Sequence, residues 1–174
     1  MPWQMDKAHS DIQFAVRHMM ISTVRGRFEE FDGTFDVNEA DPTQSKIEVV
    51  IQAASVNTKE PQRDADLKSP NFLDVEKYPT LTFKSTRIEK IDDAQARMIG
   101  DLTIKDITKE VVLDVEYAGQ AKSPWGTVSA GFTATTKIDR KDWGLTYNAV
   151  LETGGVLVGD EVKINIELEL IKQE

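Results

Sequence analysis

His9 and His18 are the only histidines in the chain, and they bracket the stretch HSDIQFAVRH at residues 9–18. Histidine is the side chain most used for acid–base work near neutral pH and for metal binding. The two stand nine positions apart. In extended chain that is about 30 Å, and an odd offset puts them on opposite faces. They are not expected to share a metal ion or a proton relay. His18 reads as an interior histidine on an apolar face, and His9 as part of a strand entry.

Other residues with chemical potential are equally sparse. Asp64, Asp66 and Asp74 lack the alternating ligand order of a calcium loop. The stretch GGVLVGDE at residues 154–161 has glycines but no Gly-Lys-Ser/Thr ending, so a phosphate loop is not expected. With no cysteine in the chain, disulfides, thiolate metal sites and a cysteine nucleophile are excluded. Serines are plentiful, but two histidines leave little room for a triad. Arg63 and Asp64 could pair across a helix start, as an ordinary surface ion pair or as a pair that orients a polar head group at a barrel mouth. No metal or other cofactor is expected.

With 174 residues, the chain is read as one domain, 1–174, able to bury a substantial core. The net charge of −9 argues against nucleic acid, whose binders cluster Lys and Arg, and against an anionic membrane surface. The start MPWQMDKAHS lacks the basic and apolar stretches of a secretory signal. The expectation is a cytoplasmic protein, or a periplasmic or secreted one if a leader has been trimmed.

What must position these residues is a set of strands. Val162, Ile164, Ile166, Leu168 and Leu170 alternate with polar residues, the period of a strand with one buried face. The same period runs through Ile12–His18, Ile47–Ala53, Met98–Ile104, Val111–Tyr117 and Val128–Ile138, and more weakly through Leu81–Ser85. Gly26–Val37 alternates with a slip between Phe28 and Phe31, as a bulge would produce. KEPQRDADLKS, residues 59–69, has Pro61 near its start and good helix formers after it, and predicts one short helix near residues 60–69. The segment 139–159 is either a lid or a further strand.

About eight strands joined by short turns predict an antiparallel sheet, and closure removes its vulnerable edges. Strands of about twelve residues would span roughly 40 Å, a tall, narrow barrel. An eight-stranded barrel is filled by its own side chains or holds one small ligand, and alternation alone leaves both readings open. If the face of Ala130, Phe132 and Ala134 points into a ligand channel, small Ala130 and Ala134 leave room beside larger neighbours.

The spacing of residues along nearly the whole chain resembles the YceI-like, or polyisoprenoid-binding, family. It starts with Trp3, Asp6, His9-Ser10, Ile12, Phe14, Val16 and His18, then Gly26, Phe28, Phe31 and Gly33. It continues through Ser55, Thr58, Arg63-Asp64, Leu67, Ser69, Phe72, Asp74 and Pro79, then GDLTIKDITKEVVL at residues 100–113. Gly131-Phe132, Ile138, Arg140, Asp142, Gly144-Leu145 and GGVLVGDEVKI at residues 154–164 complete it. Asp66, Asp106 and Glu110 depart from the family pattern, and Asp at a turn tolerates a left-handed backbone.

The resemblance implies an all-β, elongated, eight-stranded, lipocalin-like barrel enclosing a long apolar chain, such as an isoprenoid quinone or prenyl lipid, without catalysis. Arg140 and Asp142 would fix a loop. The expected barrel lining is Phe14, Val16, His18, Ile51, Phe83, Leu102, Ile104, Leu113, Ala130, Phe132, Ala134, Ile164 and Leu168, with Arg63 and Asp64 at a polar mouth. The competing classes are an enzyme acting on a prenyl or acyl substrate and a ligand-free, stress-related interaction protein. A homodimer is left open.

Overall fold

The computed structural model describes residues 3–148 and 158–173. Its strands are β1 (Trp3–Met5), β2 (Asp11–His18), β3 (Ser22–Phe28), β4 (Phe31–Asp36), β5 (Lys46–Gln52), β6 (Val56–Asn57), β7 (Thr80–Lys90), β8 (Gln95–Ile104), β9 (Ile107–Lys122), β10 (Val128–Asp139) and β11 (Val158–Lys172). One helix, α1 (Pro61–Lys68), sits between β6 and β7.

All the pairings among the described residues are antiparallel. With β3 and β4 taken as one bent strand, eight strands close in a ring: β2, β3–β4, β5, β7, β8, β9, β10 and β11, which returns to β2. The bend falls at Glu29-Glu30, where the sequence slips phase. There the Glu29 N–H turns to Ser55 O and Glu30 O accepts from Gln52 N–H. Beyond the bend, β4 leaves β2, and β1 fills the gap by pairing with β11 on one side and β4 on the other. The sequence gives no warning of β1, because three residues are too few to display a period.

One end of the barrel carries α1, a one-turn 3-10 helix at Arg140–Trp143, and the β2–β3 and β8–β9 turns. The other end carries β1 and the tip of the β9–β10 hairpin. Two apolar clusters match these halves. Ile51, Leu81, Leu102, Ile104, Leu113 and Trp143 pack toward the helix end. Trp3, Met5, Phe35, Ala130 and Leu170 pack at the opposite end. Gly100 lets the barrel close tightly at β7–β8, since a Cβ there would lie 2.5 Å from Phe83 Cζ and 2.6 Å from Lys84 O.

Lys105 and Asp106 form the two-residue β8–β9 turn, and both have positive φ (53° and 63°). Side chains pay sterically for that region, and Asn-Gly is the sequence that suits such turns. Replacing Lys105-Asp106 by Asn-Gly is expected to stabilise the fold by about 1 kcal/mol. A higher denaturant midpoint at unchanged m-value would show it, and an unchanged midpoint would show that the turn is unstrained.

Candidate functional site

Alternation places one face of every long strand inside the ring, and those faces enclose a cavity of about 680 Å³ that reaches both ends of the barrel. All thirteen residues expected on the lining are in its wall: Phe14, Val16, His18, Ile51, Phe83, Leu102, Ile104, Leu113, Ala130, Phe132, Ala134, Ile164 and Leu168. Val16, Phe83, Phe132 and Leu168 are only half-buried although they point inward. Their open surface faces the cavity, as it does in a hollow barrel and not in a solid one. Ala134, between Val115 and Ile166 on the neighbouring strands, shares this half-buried state.

Ala130 differs. It is 2% exposed, packed with Trp3, Met5, Phe35 and Leu170. The expectation of free room beside it is therefore corrected: β1, invisible in the sequence, supplies the side chains that occupy it.

The sequence also missed Trp3, Met5, Phe28, Phe35 and Tyr117 as parts of the wall. The inward face of Val111–Tyr117 could have supplied Tyr117, whose ring lies 5.2 Å from that of Phe132. Leu67, Phe72 and Leu73, from α1 and the turns after it, line the helix end, and Phe72 meets Tyr147 edge-on at 5.4 Å between ring centres.

Arg63 and Asp64 do not form a mouth together. Arg63 lines the cavity, while Asp64 is absent from the wall and binds Thr58 instead. Its Oδ1 accepts from the Thr58 N–H at 2.9 Å and from the Thr58 hydroxyl. Arg63 joins the same residue, its Nε–H donating to Thr58 Oγ1 and its Nη2–H to Thr58 O, both at 2.8 Å. Thr58 is buried, so its polar atoms need these partners. The pair fixes the entry to α1, and only the arginine faces the cavity.

Arg140 closes the helix end. It is 3% exposed, and its guanidinium donates to Leu145 O, to Gly159 O at 2.9 Å and to Val158 O at 3.4 Å. Burial pushes its pKa down, opposed by Asp160 and Asp139. Beside it, the Trp143 indole N–H donates to Leu102 O at 2.9 Å, locking the 3-10 helix to β8. Asp139 O δ1 accepts from the Lys141 N–H at the start of that turn. The loop-fixing role read for Arg140 is what its contacts provide. The alternative of a lid or further strand falls partly on residues 149–157, which lie outside the described residues; β11 itself begins at Val158, earlier than the alternation from Val162 indicated.

The histidines part company as their spacing requires. His18 lines the cavity at the helix end. His9 lies outside it, its Nδ1 2.7 Å from Asp6 Oδ2 and 3.1 Å from Glu169 Oε2. The ligand-type atoms of Asp6, His9 and Glu169 all lie within 4.8 Å of one another. The contacts make this group a brace between the segment after β1 and β11. The hydrogen bond to Asp6 raises the His9 pKa above its ordinary 6.5, with Asp6 and Glu169 adding charge attraction, and Asp6 is lowered in turn, chiefly by His9.

The sign follows from linkage. The contribution of His9 is complete below its ordinary pKa and is lost as pH rises through the raised value. That of Asp6 is present above its ordinary pKa and is lost as pH falls through the lowered one. An NMR titration is expected to place His9 above 6.5, with Asp6→Asn removing more of the shift than Glu169→Gln. A His9 titration indifferent to both changes would contradict the brace.

A closed, antiparallel, eight-stranded ring around an apolar cavity is a lipocalin-like barrel. The YceI-like domain model matches residues 3–170, and the chain belongs to that family. The UPF0312 protein SAS2572 of Staphylococcus aureus is 36% identical over 165 residues, covering 94% of each chain. The fold is similar to that of BcnA from Burkholderia cenocepacia (TM-score 0.83, 22% identity, 95% of this chain and 98% of that one). It is also similar to a polyisoprenoid binding domain from Saccharophagus degradans (TM-score 0.66, 14% identity, 97% of each chain).

Proposed function

We propose that the protein binds or carries one long apolar lipid, an isoprenoid quinone or prenyl lipid, inside the barrel and without covalent chemistry. The observation that carries this reading is the cavity of about 680 Å³ with its almost wholly apolar wall. Packed interiors leave few voids larger than a water molecule. A volume of this size lies far above such voids and within the range of ligand pockets. Water is a poor filling, because each molecule needs two to four polar partners.

An extended hydrocarbon chain suits both the shape and the chemistry. Its burial gains about 25 cal/mol per Å² of apolar surface, and a preformed wall lowers the cost of ordering it. The likeness to the Saccharophagus domain agrees with this reading at the level of fold. Binding needs no nucleophile or proton relay, and Arg63 and Arg140 at the helix end donate to Thr58 and to backbone carbonyls, a structural use of both. That favours a carrier over an enzyme.

The test is direct loading. Delipidated protein is titrated with menaquinone-4 and with a short-chain naphthoquinone that lacks the prenyl tail. Saturable binding of the prenylated compound, with a higher melting temperature as mass action requires, is expected. Equal uptake of both, or of neither, would contradict the proposal.

A further inference from the structure

We infer that the β2–β3 hairpin docks this barrel on an anionic lipid bilayer, with Met19, Met20 and Ile21 entering the headgroup region and arginines on the hairpin meeting the phosphates. Three observations converge there. The first is exposure: the tip holds three consecutive apolar side chains, Met19, Met20 and Ile21, open to solvent at 41%, 57% and 80%. Runs of apolar residues on an exposed turn are unfavourable in water unless something covers them.

The second is backbone. Met19 and Met20 both have positive φ, 53° and 63°, with the Ile21 N–H donating to His18 O across the turn. Gly, Asn and Asp suit that conformation, whereas unbranched apolar side chains bear its steric cost. The turn therefore carries methionines where folding alone would favour small polar residues. Methionine is flexible and polarisable, suited to irregular apolar surroundings.

The third is charge. The chain as a whole stands at −9, yet Ile12 to Phe28 contains Arg17, Arg25 and Arg27 and no Asp or Glu. All three arginines are exposed on the outward face of the hairpin; Arg17 and Arg25 lie on its half nearer the tip, while Arg27, opposite Gln13, is 3.4 Å from the Glu29 carboxylate. Arg17 is nearest the tip, held by Thr23 Oγ1 and Met20 O at 3.1 and 3.0 Å. Net charge argues against an anionic membrane, but the average conceals a basic, apolar-tipped hairpin, the composition that binds such surfaces.

Position gives the hairpin a use. His18, the last residue before the tip, is also part of the cavity wall. A tip seated among headgroups brings that end of the cavity against the bilayer, where an apolar cargo could pass without crossing water. This purpose rests on the lipid-carrier reading; the docking itself is measured independently of it.

The experiment uses the full chain with phosphatidylcholine vesicles and with mixed phosphatidylcholine–phosphatidylglycerol vesicles. Because the chain has no cysteine, Ile21→Cys accepts a single environment-sensitive fluorophore at the tip. Co-sedimentation with the phosphatidylglycerol vesicles only, weakened by salt, and a blue shift of the label are expected. The double variant Met20→Asp/Ile21→Asp should bind roughly tenfold or more weakly, and Arg25→Glu roughly fivefold more weakly for each unit of charge changed. Both alter exposed side chains, and unchanged melting temperatures would show intact folding.

Trp125, 82% exposed on the β9–β10 turn at the other end, supplies the control: Trp125→Ala should bind as the parent does. Absence of binding overturns the inference, as does binding that survives the double variant or is lost with Trp125→Ala. A label shift that depends on protein concentration without vesicles would assign the tip to a second copy instead, and also overturns it. Protein that takes up menaquinone-4 but ignores vesicles leaves the carrier reading standing and removes this one; the reverse pattern does the opposite.

Discussion

Ala134→Trp is expected to abolish loading of a prenyl lipid, while Thr135→Trp, one residue along β10, leaves loading unchanged. Ala134 faces inward midway along the strand, opposite Val115 on β9 and Ile166 on β11, and it is half-buried against the cavity. Thr135 points outward and is exposed. An indole at residue 134 would project into the path that an extended chain must follow from one end to the other. Because cavity space lies in front of that position, the cost in stability should stay near the low end of the roughly 1–3 kcal/mol of overpacking. Ala130→Trp would be a poorer test, since Trp3, Met5, Phe35 and Leu170 already pack around Ala130. Loading measured with menaquinone-4, beside the melting temperature, separates the outcomes. A well-folded Ala134→Trp protein with undiminished uptake would show that the ligand does not run through the barrel.

Arg140→Met is expected to destabilise the protein by about 3–5 kcal/mol, among the larger effects of a single substitution. The guanidinium supplies donors to the carbonyls of Leu145, Val158 and Gly159, tying the residues after the 3-10 helix to the start of β11. Methionine matches the length of the stem but leaves those acceptors without it, and each buried polar group so orphaned costs about 1–3 kcal/mol. Arg140→Lys should recover only part of the loss, because one ammonium cannot reproduce the planar fork. Denaturant unfolding of the two variants beside the parent measures this. If both lie within about 0.5 kcal/mol of the parent, the range of ordinary surface substitutions, then Arg140 does not hold the end of the barrel.

The wall of the cavity was legible because strand period is simple. A residue two places from another faces the same way, so Phe14, Val16 and His18, or Ile164 and Leu168, could be placed inside without knowing their neighbours. The bend at Glu29-Glu30 was legible for the same reason, as a slip in that period. Hollowness was not, because alternation reports which way a side chain points and not how far off the opposite wall stands. Only the family resemblance favoured a cavity.

Side chains outside regular strands escaped more often. Asp64, expected at a mouth, turns to Thr58, a partner fixed by the loop before α1 and not by any period. The surroundings of Ala130 are hidden in part because β1, which brings Trp3 and Met5 against it beside Phe35 and Leu170, is three residues long. The Asp6–His9–Glu169 brace joins positions 160 residues apart (169 − 9), a proximity that only the closed sheet produces.

The central claim is that the barrel encloses a lipid, and mass spectrometry of an organic extract of the purified protein tests it most directly. The protein is taken from cells without added ligand, beside an Ala134→Trp preparation as control. A long-chain apolar lipid in near-stoichiometric amount from the parent, and its loss from the variant, is the result the structure predicts. An extract free of such lipid, from protein that also fails to take up menaquinone-4 when it is offered, would contradict it.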